Sequence, residues 1–308
     1  MIRALSRLAF LAVLSVPAAA GVTAGLEGTT GSSGYRGLKA KASIDLSDTV
    51  YLAPSFSNYR SDASSGSYNR FAVRLGYETG PIALGAQASV QPKVNGYRQR
   101  SVGADVTFSL TPGGSKKGRK MAGPSSGGES TFGSGLAGVD LGASFTHITH
   151  TDDFSGAANS GPGARLAGAR RARAFTLGQN DVAVFGGVKF LVAELSAEVS
   201  KSVYDKSLDN SGARDAQLLS LAGVAALQQG FPDRAVNVQA KLKVFPMVRP
   251  YASYTRTTFK LGESPSNSYA LGATVGLELV SVKAAYERYT QSGFSSKNYY
   301  TLGASIHF

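Results

Sequence analysis

The chain has 308 residues, 37 glycines, 14 tyrosines, 15 phenylalanines, no cysteine and a formal net charge of +12. The absence of cysteine excludes a disulfide framework, thiol catalysis and cysteine-ligated metal. The glycine and aromatic content favours short strands, turns and aromatic girdles, and no segment after residue 20 approaches the ~20 apolar residues of a transmembrane helix.

Residues 1–20 have the features of a cleavable secretory signal. Arg3 and Arg7 precede an apolar run from Leu8 to Val16, and small residues follow it. We therefore predict a signal peptide at 1–20 and a single domain at 21–308, and loss of the two arginines lowers the charge from +12 to +10. Because an exported protein does not meet nucleic acid, the basic excess indicates lipopolysaccharide phosphate or anionic solutes as partners.

Apolar and polar residues alternate along most of the remaining chain, which predicts about fourteen strands, with 12 to 16 possible. They are predicted at 22–29, 36–46, 49–59, 68–78, 81–91, 97–110, 136–149, 182–190, 192–204, 235–245, 248–259, 268–279, 282–292 and 298–308. Short connections alternate with longer polar ones, except at 111–135. An even number of antiparallel strands, with short turns and both termini at one rim, is typical of a membrane barrel.

The two faces of each strand differ in polarity. On 36–46, Leu38 and Ile44 share one face, whereas Lys39 and Lys41 share the other. Because a lysine or arginine that faces lipid at the midplane costs ~2–4 kcal/mol, the charged face should line the lumen. The residues predicted to line it are Lys39, Lys41, Arg70, Arg74, Glu194, Glu198, Lys241, Lys243, Lys283 and Glu287.

The final strand alternates as well, with Tyr300, Leu302, Ile306 and Phe308 on one face. A last strand that ends in phenylalanine resembles that of bacterial outer-membrane β-barrel proteins. The resemblance implies an all-β, transmembrane, antiparallel up-and-down barrel in the cell outer membrane. It also implies that the barrel-assembly machinery reads these four residues, and it indicates no particular family.

Two connections are unusual. Residues 111–135 form a basic, low-complexity segment that is predicted to be disordered on the periplasmic side. Residues 205–234 contain an apolar periodicity that predicts a helix at 214–229, capped by Ser211, although a further strand at 216–227 is an alternative.

A histidine-rich stretch from His147 to Asp153 lies near the predicted outer rim. Imidazoles and carboxylates close together could serve a hydrolase or bind a divalent metal. No family motif accompanies them, and we expect a solvated loop. The prediction therefore includes no catalytic residue, no metal site and no cofactor.

These patterns predict a monomeric or weakly associated barrel that acts as a passive, porin-like channel for small hydrophilic solutes or ions. Lys39, Lys41, Arg70 and Arg74 are expected to dominate the local potential and to cause a weak anion preference. The alternative is a closed barrel with a role in surface adhesion or lipopolysaccharide contact, and a rim-located hydrolase is third.

Overall fold

The computed structural model describes residues 21–62, 66–94, 97–110, 137–152, 175–206, 208, 231–243, 247–261, 263–277 and 279–308. Within them, fourteen antiparallel strands follow one another around a closed barrel. The strands are β1 (Val22–Gly31), β2 (Tyr35–Asp45), β3 (Val50–Arg60), β4 (Tyr68–Thr79), β5 (Ile82–Val94), β6 (Tyr97–Leu110), β7 (Gly138–Asp152), β8 (Phe175–Phe190), β9 (Ala193–Tyr204), β10 (Pro232–Leu242), β11 (Val248–Phe259), β12 (Ser266–Gly276), β13 (Val280–Gln291) and β14 (Lys297–His307). The predicted fold class and strand number are confirmed.

The first and last strands close the barrel. Thr23 lies opposite His307 in the β1–β14 ladder, and Gly31 lies opposite Tyr299. At the end of the ladder next to Thr23 and His307, the backbone amide of Phe308 donates to the Val22 carbonyl at 2.8 Å. Closure leaves no strand edge with unpaired backbone groups. Such an edge would be strongly unfavourable within lipid, because no water is present to bond those groups.

Several strands extend further toward one rim than predicted. β7 continues to Asp152 and β8 begins at Phe175, so the connection predicted at 150–181 shortens to 153–174. Likewise, the connection predicted at 92–96 is only two residues long, because β5 ends at Val94 and β6 begins at Tyr97. The predicted boundaries were wrong here because the ladder hydrogen bonds continue where the apolar periodicity has already ended.

The outer face of the barrel is apolar and exposed. Leu302 and Phe308 are 66% and 72% exposed, and Leu26, Leu38 and Leu75 also point outward. A continuous apolar belt of this kind suits a hydrocarbon environment and would be unfavourable in water.

Aromatic pairs border this belt toward the rim opposite the termini. The pairs share nearly the same ring separation, with centroids 5.1 to 5.4 Å apart: Phe56–Phe71, Tyr254–Tyr269 and Tyr286–Tyr300. The hydroxyls of Tyr254 and Tyr286 each donate to an asparagine side chain at 2.8 Å. Rings with one apolar and one polar end belong at a membrane–water interface.

In the described part of the chain, no helix is long and apolar enough to cross a membrane. The predicted signal peptide at 1–20, the basic segment at 111–135 and the predicted helix at 214–229 lie outside the described residues.

Candidate functional site in the barrel lumen

The charged residues predicted from sequence share the inner face of the barrel. The strand register places all ten opposite the exposed apolar side chains: Lys39, Lys41, Arg70, Arg74, Glu194, Glu198, Lys241, Lys243, Lys283 and Glu287. Their role in solute passage stays a prediction.

Glu27 is the centre of one ion-pair cluster on this face. Its carboxylate lies 3.0 Å from the Lys41 ammonium of β2 and 3.7 Å from the Lys283 ammonium of β13. The contact with Lys283 crosses β14 at Gly303, where a Cβ atom would lie only 2.7 Å from Glu27 Cγ. Lys283 also lies 5.9 Å from the ring centroid of Tyr251.

A second ion pair joins Arg74 of β4 to Asp105 of β6. Two guanidinium nitrogens contact the two carboxylate oxygens, with Nη2 at 2.7 Å from Oδ2. The Arg74 Nε donates to the Tyr51 hydroxyl at 3.2 Å. Bidentate geometry of this kind fixes direction as well as charge. A third pair joins Lys243 to Glu194.

Two of the four basic residues expected to dominate the local potential are paired with carboxylates, and the predicted ion preference stays a prediction. Lys41 and Arg74 each contact a carboxylate. The expectation considered only the charges on strands 36–46 and 68–78. The carboxylate partner of Arg74 lies two strands away, on β6, across a glycine of β5. Arg70 instead donates to the Ser89 hydroxyl at 3.1 to 3.2 Å and has no carboxylate partner within the described residues.

Two carboxylates on the inner face, like Arg70, have hydroxyl or amide partners in place of an oppositely charged one. Asp181 accepts from Ser202 at 2.6 Å and from Gln179 at 2.8 Å, and Glu287 accepts from Ser268. Neither has a cationic partner in the part of the chain that the structure describes. Sequence reasoning missed Asp181 because the predicted strand began at residue 182, and the alternation of Gln179, Asp181 and Ala183 was the signal for it.

The inner face is unevenly accessible. On β6, β8 and β9 its side chains are buried, including Asp105 at 7%, Thr107 at 1% and Glu194 at 4% exposure. On β10–β14 and β1–β4 they are partly accessible at mid-height, where the side chains of Lys41 and Lys283 are 24% and 29% exposed. We refer to these strand groups as the buried sector (β6, β8 and β9) and the accessible sector (β10–β14 with β1–β4).

Inward aromatic side chains crowd the mouth at the rim opposite the termini. One buried cluster contains Tyr35, Tyr59, Tyr68, Tyr289 and Tyr299. A second contains Tyr97, Leu177, Leu208 and Phe231. These clusters were not predicted from the sequence, because the aromatic residues were expected in outer girdles. The signal for them was the strand alternation, which turns Tyr300 outward and therefore Tyr299 inward.

The two histidines near this rim do not form a joint site. The prediction of a solvated loop was wrong, because His147 and His150 both lie on β7. His150 points inward and is buried, with its ring nitrogens 2.8 Å from the Tyr97 hydroxyl and 3.0 Å from Gln179 Oε1. His147 points to the outer face, where its Nδ1 lies 2.8 Å from Asn180 Oδ1. Residues three apart in a strand face opposite ways, so the two imidazoles cannot share a ligand.

No cluster of three metal-ligating side chains occurs among the described residues. The closed antiparallel barrel, its exposed apolar belt and its charged interior together define an outer-membrane β-barrel protein, located in the bacterial cell outer membrane.

By sequence, no known protein family and no curated protein matches the chain. By structure, it is similar to CdiB from Acinetobacter baumannii at 8% identity and a TM-score of 0.46, over 94% of this chain and 60% of that chain. It is also similar to the NanC porin at 9% identity and a TM-score of 0.44, over 92% and 98% of the two chains. A third similar structure is OccK3 (OpdO) from Pseudomonas aeruginosa, at 9% identity and a TM-score of 0.45, over 94% and 95%. The class of the protein rests on its own strand topology and exposed belt.

Proposed function

We propose that the protein is a passive, porin-like channel for small hydrophilic solutes or ions. The observation that carries this proposal is the accessible sector, where Glu27, Lys41 and Lys283 present charged groups to the lumen at mid-height. An eight-stranded barrel can be filled by its own side chains, whereas fourteen strands enclose a wider interior. A wide, polar interior favours water and therefore dissolved solutes.

The same features support a weak discrimination among solutes. Ion pairs place both signs of charge on the wall, so neither cations nor anions meet a single-signed field. The proposal contains no catalytic step, because His147 and His150 lie on opposite faces of β7. It includes a signal peptide at 1–20, assembly by the barrel-assembly machinery, and a monomer or weak homo-oligomer in outer-membrane lipid.

Single-channel conductance of the refolded chain 21–308 in planar bilayers tests the proposal. We expect discrete conductance steps that a bulky inward side chain reduces. Ser55→Trp would place an indole on the inner face beside Lys41, whereas Ala40→Trp would place one on the lipid face at nearly the same depth. Ser55→Trp should lower the conductance and Ala40→Trp should leave it unchanged. Folded barrels without discrete steps would contradict a channel and favour a closed barrel.

A further inference from the structure

Along the described strands, lysine and arginine residues on the outer face are confined to one rim. They occupy outward positions within four residues of the strand ends that lie opposite the termini. We name this set the basic belt: Arg36, Arg60, Arg98, Arg100, Lys201, Arg234, Arg256 and Arg288. At the other rim, no described strand carries an outward lysine or arginine.

Acidic residues do not balance the belt. Among the strand residues whose side chains the structure describes, carboxylates occupy inward positions, except for Asp233 at the irregularity where β10 pairs with β11. Asp233 lies 2.7 Å from Lys201, 2.7 Å from Lys260 and 3.7 Å from Arg234. One carboxylate among three cations leaves this part of the belt positively charged.

Arg36 and Arg60 form an exposed pair within the belt. They lie directly opposite each other in the β2–β3 ladder, and like charges in that arrangement repel. Neither has a carboxylate partner within the described residues, and a cavity of about 330 Å³ lies beside them, also lined by Gly34, Ser61 and Asp62. An anion held between the two guanidinium groups would replace their repulsion with two attractive contacts. The single carboxylate of Asp62 in the same lining opposes this in part, and the two arginines leave the lining with a net charge of +1.

The depth of the belt identifies the source of that anion. Arg288 lies opposite Tyr269, which belongs to the aromatic border of the apolar belt. The basic belt therefore begins where the hydrocarbon-facing surface ends, at the level of lipid headgroups. Planar guanidinium groups bind phosphate with two parallel hydrogen bonds, so arginine suits phosphorylated headgroups.

We propose that the basic belt binds the phosphate groups of a phosphorylated glycolipid in the outer leaflet, the chemistry that lipopolysaccharide presents, with Arg36 and Arg60 sharing one phosphate. The outward position beside the apolar belt favours a lipid over a soluble anion, because acyl chains of the same molecule can pack on the neighbouring apolar surface. This inference does not depend on conduction through the lumen.

Binding of lipopolysaccharide to the refolded protein in detergent tests the proposal, with native mass spectrometry as the readout. The comparison ligands are dephosphorylated lipopolysaccharide and inorganic pyrophosphate. We expect Arg36→Gln/Arg60→Gln to bind lipopolysaccharide about tenfold more weakly, because hydrogen bonds between charged groups are lost. The control Lys116→Gln/Lys117→Gln makes the same charge change outside the basic belt, between β6 and β7 in the sequence, and should bind as the wild type does.

Thermal unfolding provides a second readout that separates binding from misfolding. Without lipid, Arg36→Gln/Arg60→Gln should unfold at the wild-type temperature or above, since a repulsion is removed. With lipopolysaccharide, the wild type should gain more stability than this variant. Equal binding of the dephosphorylated lipid, or equal binding by the arginine variant, would overturn the proposal. Pyrophosphate binding as tight as lipopolysaccharide binding would overturn the lipid source.

Discussion

Arg74 and Asp105 are joined across an intervening strand. Their strands, β4 and β6, are separated by β5, yet Nη2 of the arginine lies 2.7 Å from Oδ2 of the aspartate. The residue beneath the contact is Gly85, where a Cβ atom would collide with the guanidinium and lie 2.6 Å from Asp105 Oδ1. Gly303 likewise lies between Glu27 and Lys283, and a Cβ atom there would lie 2.7 Å from Glu27 Cγ. Inward glycines thus let long side chains of next-nearest strands meet along the wall.

The first prediction concerns the strength of this ion pair. The two side chains are only 13% and 3% exposed, so removal of one partner leaves a poorly solvated charge. We expect Arg74→Gln to lower the free energy of unfolding by about 3 kcal/mol, measured by urea titration of the refolded barrel. Arg74→Gln/Asp105→Asn should recover part of that loss, and Asp48→Asn in an exposed turn should change little. Additive losses in the double variant would show that the two residues do not interact.

The second prediction concerns the glycine between the partners. Gly85→Ala should weaken the ion pair and destabilise the barrel by about 1 to 3 kcal/mol, as overpacking does. Gly276→Ala is the matched control, because Gly276 also lies in a strand and its Cβ would have no neighbour within 4 Å. The cost of Gly85→Ala should shrink in the Arg74→Gln/Asp105→Asn background. An unchanged cost there would mean that Gly85 is needed for another reason.

The third prediction concerns ion preference. Glu27→Gln leaves Lys41 and Lys283 without their shared carboxylate in the accessible sector. The reversal potential in a salt gradient should therefore shift toward anion preference, most strongly at low ionic strength. Asp105→Asn makes the same charge change on the buried sector and should produce a smaller shift in barrels that fold. Equal shifts would contradict the division of the wall into two sectors.

The fourth prediction concerns assembly and rests on the proposed role of Tyr300, Leu302, Ile306 and Phe308 as an assembly signal. Phe308 is exposed on the outer face near one rim, where a charge costs only about 0 to 1 kcal/mol. Phe308→Asp should therefore barely change the stability of barrels refolded in vitro. In cells it should reduce insertion into the outer membrane far more than Phe56→Ala does. Equal amounts of the two variants in the outer membrane would contradict a recognition role.

Alternation was sufficient to predict the strands. A charge facing lipid is costly and apolar side chains need a nonaqueous surface, so residues such as Leu38 and Lys39 determine the two faces locally. The same period of two placed the charged residues on the inner face. It was insufficient at the outer rim, where both faces are polar, and β8 consequently began seven residues earlier than predicted.

What the sequence by itself determined is the barrel: an even set of alternating strands, their faces, and the residues available to the lumen. The tertiary structure decided which of those residues meet. Partnership between Arg74 and Asp105, or between Glu27 and Lys283, depends on strand register and on a glycine in the strand between them. Likewise, the two faces of β7 separate His147 from His150. Contacts of this kind join residues far apart in the chain. Local periodicity excludes a one-residue slip of the register, but it does not distinguish registers that differ by two residues, so it does not determine which side chains meet.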